Sequence, residues 1–177
     1  MFSTSDYSPR VQEVLALDGS GERLMPLASG TCSSPEAFKL LKGANPCQLF
    51  PGSRAPGAAF AGLYLYFSCL DESHTISQGI ESAEGSFWHG IMHRQEPDAG
   101  NAAYWFRRVG KHPVFPALRD AANGLGYPAG SAWDPFAFID ACDAARKEPG
   151  TDRELLLRKV QLVEWQLLFD YCGRPRT

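Results

Sequence analysis

The sequence has no C-x-x-C pair, no G-x-x-x-x-G-K-[ST] loop, no G-x-G-x-x-G fingerprint and no G-x-S-x-G elbow. Those absences remove the zinc knuckle and thioredoxin-type centre, the phosphate loop, the dinucleotide-binding turn and the serine-hydrolase elbow as sources of function. Long apolar runs are lacking too: the longest, Gly57 to Phe67, falls well short of the ~20 residues that cross a bilayer. Basic residues are few and scattered, 17 against 20 acidic ones for a net charge of -3, so there is no electrostatic footprint for nucleic acid. Met1 to Pro9 is polar and acidic, without the basic flank and apolar stretch of a signal peptide. A cytoplasmic protein with neither nucleic acid nor membrane as partner is expected, which leaves a small molecule or another protein. The five cysteines are odd in number and widely spaced, and they read as reduced thiols, with Cys69 and Cys142 buried.

What is present is the material of a folded core: 44% apolar and 12% aromatic residues in 177, enough for one domain over 1–177 with residues 1–9 flexible. The hydrophobic period is helical. A short helix is expected at Val11 to Leu17, broken by Asp18-Gly-Ser-Gly, and a second after the capping hydroxyl and proline of Ser34-Pro35-Glu36. Gly43 to Gly57 reads as a packed loop. Phe60, Leu63, Phe67 and Leu70 then form one apolar stripe, although the Tyr64 to Phe67 run alone also fits a buried strand.

Further helices are expected at Ser73–Glu81, Phe87–Gln95, Asn101–Val109, Val114–Asn123, Pro135–Lys147 and Arg153–Tyr171. The last shows the widest apolar face, carrying Leu155, Leu156, Val160, Val163, Trp165, Leu167, Leu168 and Phe169. No strand-turn-strand pattern competes, so the fold class is all-α, a single-domain bundle or stack of helical hairpins. Gly90, Ala102 and Phe106, with Pro113 after them, stand at the spacing of a tetratricopeptide helix pair. No second copy appears at the ~34-residue period of such repeats, so the match predicts a local hairpin geometry.

All four histidines (His74, His89, His93, His112) fall in one stretch that also holds Asp71, Glu72, Gln78, Glu81, Glu96 and Asp98. His74, Gln78 and Glu81 are spaced i, i+4, i+7, and His89, His93 and Glu96 repeat that spacing. If the two helices pack antiparallel, both polar rows face one another and three imidazoles and two carboxylates share a cavity. Neutral imidazole and carboxylate are ligands for zinc, iron, nickel or manganese. His74, His89 and His93 are thus the candidate metal ligands and Glu81 and Glu96 the candidate bases, with Glu72 a further one. His89-Gly-Ile-Met-His93 lacks the glutamate of a zincin helix, so a thermolysin-like mechanism is not supported. Two other readings stay open: a metal-free polar pocket, and a structural network in which the histidines pair with neighbouring acids. His112, before Pro113, reads as a loop or cap residue.

On Asn101 to Val109, Trp105 and Arg108 share one helical face and Ala102, Phe106 and Val109 the other. The first face offers an aromatic plane and a guanidinium for a ligand, or an Arg108 that pairs with Asp98 or Glu96. Gln78, Trp88, Tyr104, Trp105 and Arg108 are the candidate ligand-binding residues. Arg107, Arg108 and Lys111 form the one local basic patch, read as ordinary surface or as an anion site.

The blocks Leu70-Asp-Glu-Ser-His-Thr-Ile-Ser-Gln78, Trp88-His-Gly-Ile-Met-His-Arg94 and Tyr104-Trp-Phe-Arg-Arg-Val-Gly110 resemble the signature blocks of an uncharacterised family of bacterial and fungal proteins. The resemblance covers Leu70 to Phe115 and, more loosely, Val160 to Cys172. It implies no activity and adds no catalytic assignment. Two functions therefore stand side by side: a histidine and carboxylate pocket with metal-dependent, hydrolase-like chemistry, and a non-enzymatic helical-hairpin module for binding or scaffolding.

Overall fold

The computed structural model describes residues 2–176. Its order is α1 (Pro9–Ala16), α2 (Pro35–Leu41), α3 (Pro46–Leu49), α4 (Pro56–Tyr66), α5 (Leu70–Gln78), α6 (Ala83–Gln95), α7 (Ala99–Val109), α8 (Phe115–Gly124), α9 (Pro135–Ala145) and α10 (Asp152–Gly173), with two short 3-10 turns near the start. No strand occurs among the described residues, so the fold is all-α. None of these helices is long and apolar enough to cross a membrane.

The helix boundaries follow from short-range chemistry. Ser34, Ser82, Asp98, Asp134 and Thr151 each accept a first-turn amide through a side-chain oxygen. Proline opens α1 to α4, where its missing N–H costs nothing. Within the segment expected to be loop, the Asn45 side chain caps the one-turn helix α3.

Helix α4 is buried on every side from Ala58 to Tyr66 and forms the axis of the molecule, packed against α5, α6 and α10. That all-round burial explains why Tyr64 to Phe67 also read as a strand: with no polar face, period carries no information. The stripe from Phe60 to Leu70 does not lie on one helix: Phe60 and Leu63 belong to α4, Phe67 follows it and Leu70 opens α5. Ser68 takes a left-handed backbone (φ 58°) and turns the chain, so α5 folds back on α4.

Two close approaches set the packing around α6. A Cβ on Gly62 would lie 2.5 Å from the Trp88 ring, and one on Gly90 would lie 2.9 Å from Phe106. Glycine at both positions lets α6 seat between α4 and α7. Gly90 meets Phe106, and Ala102 is buried on the same helix, as the hairpin spacing predicts.

Helix α10 locks the bundle through Leu157, Val160, Trp165, Leu168 and Cys172, and Trp165 Nε1 donates to Gly62 O at 2.7 Å. Leu155, expected on this face, is exposed. The face also carries Gln161 and Glu164, both fully buried. Glu164 forms an ion pair with Arg94 of α6, whose guanidinium also meets Gln161 Oε1 at 3.3 Å and the Phe138 ring at 4.6 Å. A buried charge is tolerable only when paired in this way, and this pair ties α6 to α10. At the other end, Tyr7 is buried against Phe50 and Phe169, so packing reaches into the first nine residues, which had been expected to be loose.

Candidate metal centre

The site is built by the α5–α6 hairpin. Ser77 pairs with His89, and His74 meets His93 edge-on, so the two helices run antiparallel and bring equivalent turns together. Small residues on α5 permit this: Ser73 and Ser77 are fully buried, and His74 lies half-buried beside them. Ring centroids are 4.7 Å apart for His74 and His89, 4.8 Å for His89 and His93, and 5.4 Å for His74 and His93. One ring nitrogen from each of the three lies within 4.8 Å of those of the other two.

Two of the three rings have an acceptor beside their Nδ1. Ser77 Oγ lies 2.7 Å from Ser73 O and 2.9 Å from His89 Nδ1. A carbonyl only accepts, so the hydroxyl proton goes to Ser73 O and the serine oxygen accepts from His89 Nδ1–H. This leaves the Nε2 of His89 with its lone pair. His93 Nδ1 lies 3.1 Å from Glu96 Oε2, an ion-pair contact whose angle is poor for a hydrogen bond but which favours a proton on the same nitrogen. Acceptors behind the imidazoles, with nitrogens free in front, are the arrangement that orients histidine toward a metal.

Burial favours the neutral form of His89 and His93. Desolvation, then the neighbouring His93 and His74, push His89 from the ordinary imidazole range down to about 3. Desolvation also lowers His93, against the opposing pull of Glu96. The indole of Trp105, from α7, covers His89 with ring centroids 4.1 Å apart, and Arg108 lies 5.2 Å over that indole.

The other sequence candidates fall differently. Helix α5 stops at Gln78 with Gly79 as its cap, so Glu81 lies beyond the helix whose face was to carry it, and it is exposed. Gln78 is exposed as well, because the inward face of α5 is Leu70, Ser73 and Ser77 rather than His74 and Gln78. Trp88 points away from the histidines into the core, against Gly62. Tyr104 is 49% exposed and meets Trp105 edge-on. Arg108 forms no ion pair with Asp98 or Glu96 among the described residues, and Asp98 instead caps α7.

Glu96 reaches from His93 to a groove of about 430 Å³, where Asp71 and Glu72 from α5 make it acidic. Cys32 and Cys69 in its wall are joined as a disulfide, which corrects the reading of five reduced thiols; Cys69 is buried as expected. Residues 37 apart in sequence gave no spacing cue for this pair. Sequence reasoning also passed over Ser77 as a partner of His89 and Arg94 as a buried ion; the first is legible once antiparallel packing is drawn, since Ser77 and His89 are then opposite. A larger groove lies elsewhere, between α7, α8 and the start of α9.

Compared with known protein families, curated proteins and solved structures, the chain matches none. The functional reading therefore rests on the residues of this chain.

Proposed function

We propose that the α5–α6 hairpin holds a divalent metal ion on His74, His89 and His93, with a coordination position left open for water or substrate. The observation that supports this best is the convergence of the three imidazoles, their ligand nitrogens within 4.8 Å of one another, with Ser77 and Glu96 behind two of them. Three borderline nitrogen ligands suit zinc first, with iron, nickel and manganese as alternatives. Three protein ligands fit an open catalytic site better than a closed structural one, which takes four.

A metal bound there would acidify a coordinated water, the starting point of hydrolytic chemistry. Glu96 lies behind His93, and it is the residue we assign to orient that ligand. Glu81 has no part in this reading.

Thermal melting of untagged protein, metal-free and with zinc, nickel, manganese or ferrous ion added, tests the proposal. At a free metal concentration one hundred times Kd the stabilisation is about 2.7 kcal/mol. For a chain of this size that raises the melting temperature by about 5–10 °C. The rise is expected in the wild type and absent in His89→Ala and His93→Ala. No shift with any of the four ions in the wild type would overturn the proposal and leave the histidines as structural ties.

A further inference from the structure

The Arg107 and Lys111 patch finds its place at a groove of about 600 Å³ that none of His74, His89 and His93 lines. Its floor is aromatic. Phe106 and Trp133 are buried in it, while Phe115 and Phe136 are partly open to solvent. Its rim is cationic: Arg107 comes from the last turn of α7, Lys111 from just beyond its end and Arg119 from α8, and no acidic side chain lines the groove. Arg119 is already paired with Asp120, whereas Arg107 and Lys111 have no carboxylate partner among the described residues.

Two polar groups in the lining are also without partners. His112 is only 4% exposed; its Nδ1 accepts from Val114 N–H at 3.2 Å, which places the ring proton on Nε2, and that donor bonds to nothing. Trp133, 7% exposed, carries a second buried N–H with no acceptor. Unpaired buried donors are rare in folded proteins and cost about 1–3 kcal/mol each. The first turn of α8 opens at the same groove with no side-chain cap, adding the positive end of a ten-residue helix. The unpaired cations and the positive end of α8 call for an acceptor of negative charge, and the aromatic floor calls for an apolar body.

We propose that this groove binds a small organic acid with an apolar body, its carboxylate at the Arg107 and Lys111 rim and its body against Phe106, Phe115, Trp133 and Phe136. The volume is that of a small-molecule site. The proposal is independent of any metal at the histidines.

Titration calorimetry with two matched pairs of probes tests it: indole-3-acetate beside indole-3-acetamide, and octanoate beside octanamide. At least one acid is expected to bind about tenfold or more tightly than its amide, the worth of a charge-assisted hydrogen bond. Which acid does so tells whether the natural body is aromatic or aliphatic. The double substitution Arg107→Gln with Lys111→Gln changes only exposed side chains and is expected to abolish the preference for the acid while leaving the melting temperature unchanged. Amides that bind as well as acids, no binding by any probe, or a preference that survives the double substitution would overturn the proposal. So would sedimentation showing that the groove is covered by a second copy of the chain, with a dimer that Phe136→Glu dissociates.

Discussion

Ser77 has one hydroxyl proton, and because Ser73 O takes it, the serine oxygen is left to hold His89 Nδ1–H. The lone pair on His89 Nε2 is therefore fixed by a residue that touches no ligand. In Ser77→Ala the Nδ1–H loses its acceptor, and zinc affinity is expected to fall by about 10–100-fold. Competition against a chelator of known affinity measures it, with stoichiometry remaining at one ion per chain. An affinity equal to that of the wild type would show that Ser77 does not orient the ring. The same scale shows what the sequence could and could not convey. His89 and His93 are legible as a pair from spacing alone, since i, i+4 on one helix places them together whatever surrounds them, and His74 joins them once the hairpin is drawn antiparallel. Glu81 is misplaced by the same rule, because the rule presumes a helix through to residue 81 and Gly79 ends it.

At the scale of elements, the site depends on how closely α6 can approach its neighbours. Gly90 sits within a helix, where alanine is the better former by about 1 kcal/mol. Packing opposes propensity here: a Cβ at this position would lie 2.9 Å from the Phe106 ring, which is itself buried and has no room to yield. Overpacking of this kind costs about 1–3 kcal/mol. Gly90→Ala is therefore expected to lower stability in urea unfolding, and to separate α7 from α6 enough to weaken the cover of Trp105 on His89. A gain in stability would mean that the α6–α7 contact is looser than described. The hairpin was legible from Gly90, Ala102 and Phe106 because small and large residues at fixed spacing encode a local contact. The reversal at Ser68, the Arg94–Glu164 pair and the Cys32–Cys69 bridge were not, since each depends on residues brought together by the whole fold.

At the scale of the molecule, burial of imidazoles couples stability to acidity. Desolvation holds His89 at about 3 and lowers His112 below the ordinary range, while the unfolded chain protonates its histidines near pH 6.5. Between those values the unfolded state binds more protons than the folded one, so stability is complete above about pH 6.5 and is lost as pH falls below it. The melting temperature of the metal-free protein is expected to drop on acidification from neutral pH toward pH ~5, and His112→Asn, which keeps an acceptor for Val114 N–H, is expected to flatten part of that slope. An unchanged slope would place the acid sensitivity in other groups. The all-α class was legible at this scale because every strong period in the chain is helical, and α4, with no polar face, gave no contrary signal strong enough to alter it.

The central claim is that three imidazoles from one hairpin hold a metal ion. Elemental analysis of untagged protein, loaded with zinc and then dialysed free of excess metal, tests it most directly. One zinc per chain in the wild type, and none in His89→Ala or His93→Ala of confirmed fold, is the result predicted. A wild type that retains no metal would contradict the account and return the three histidines to the packing of α5 against α6.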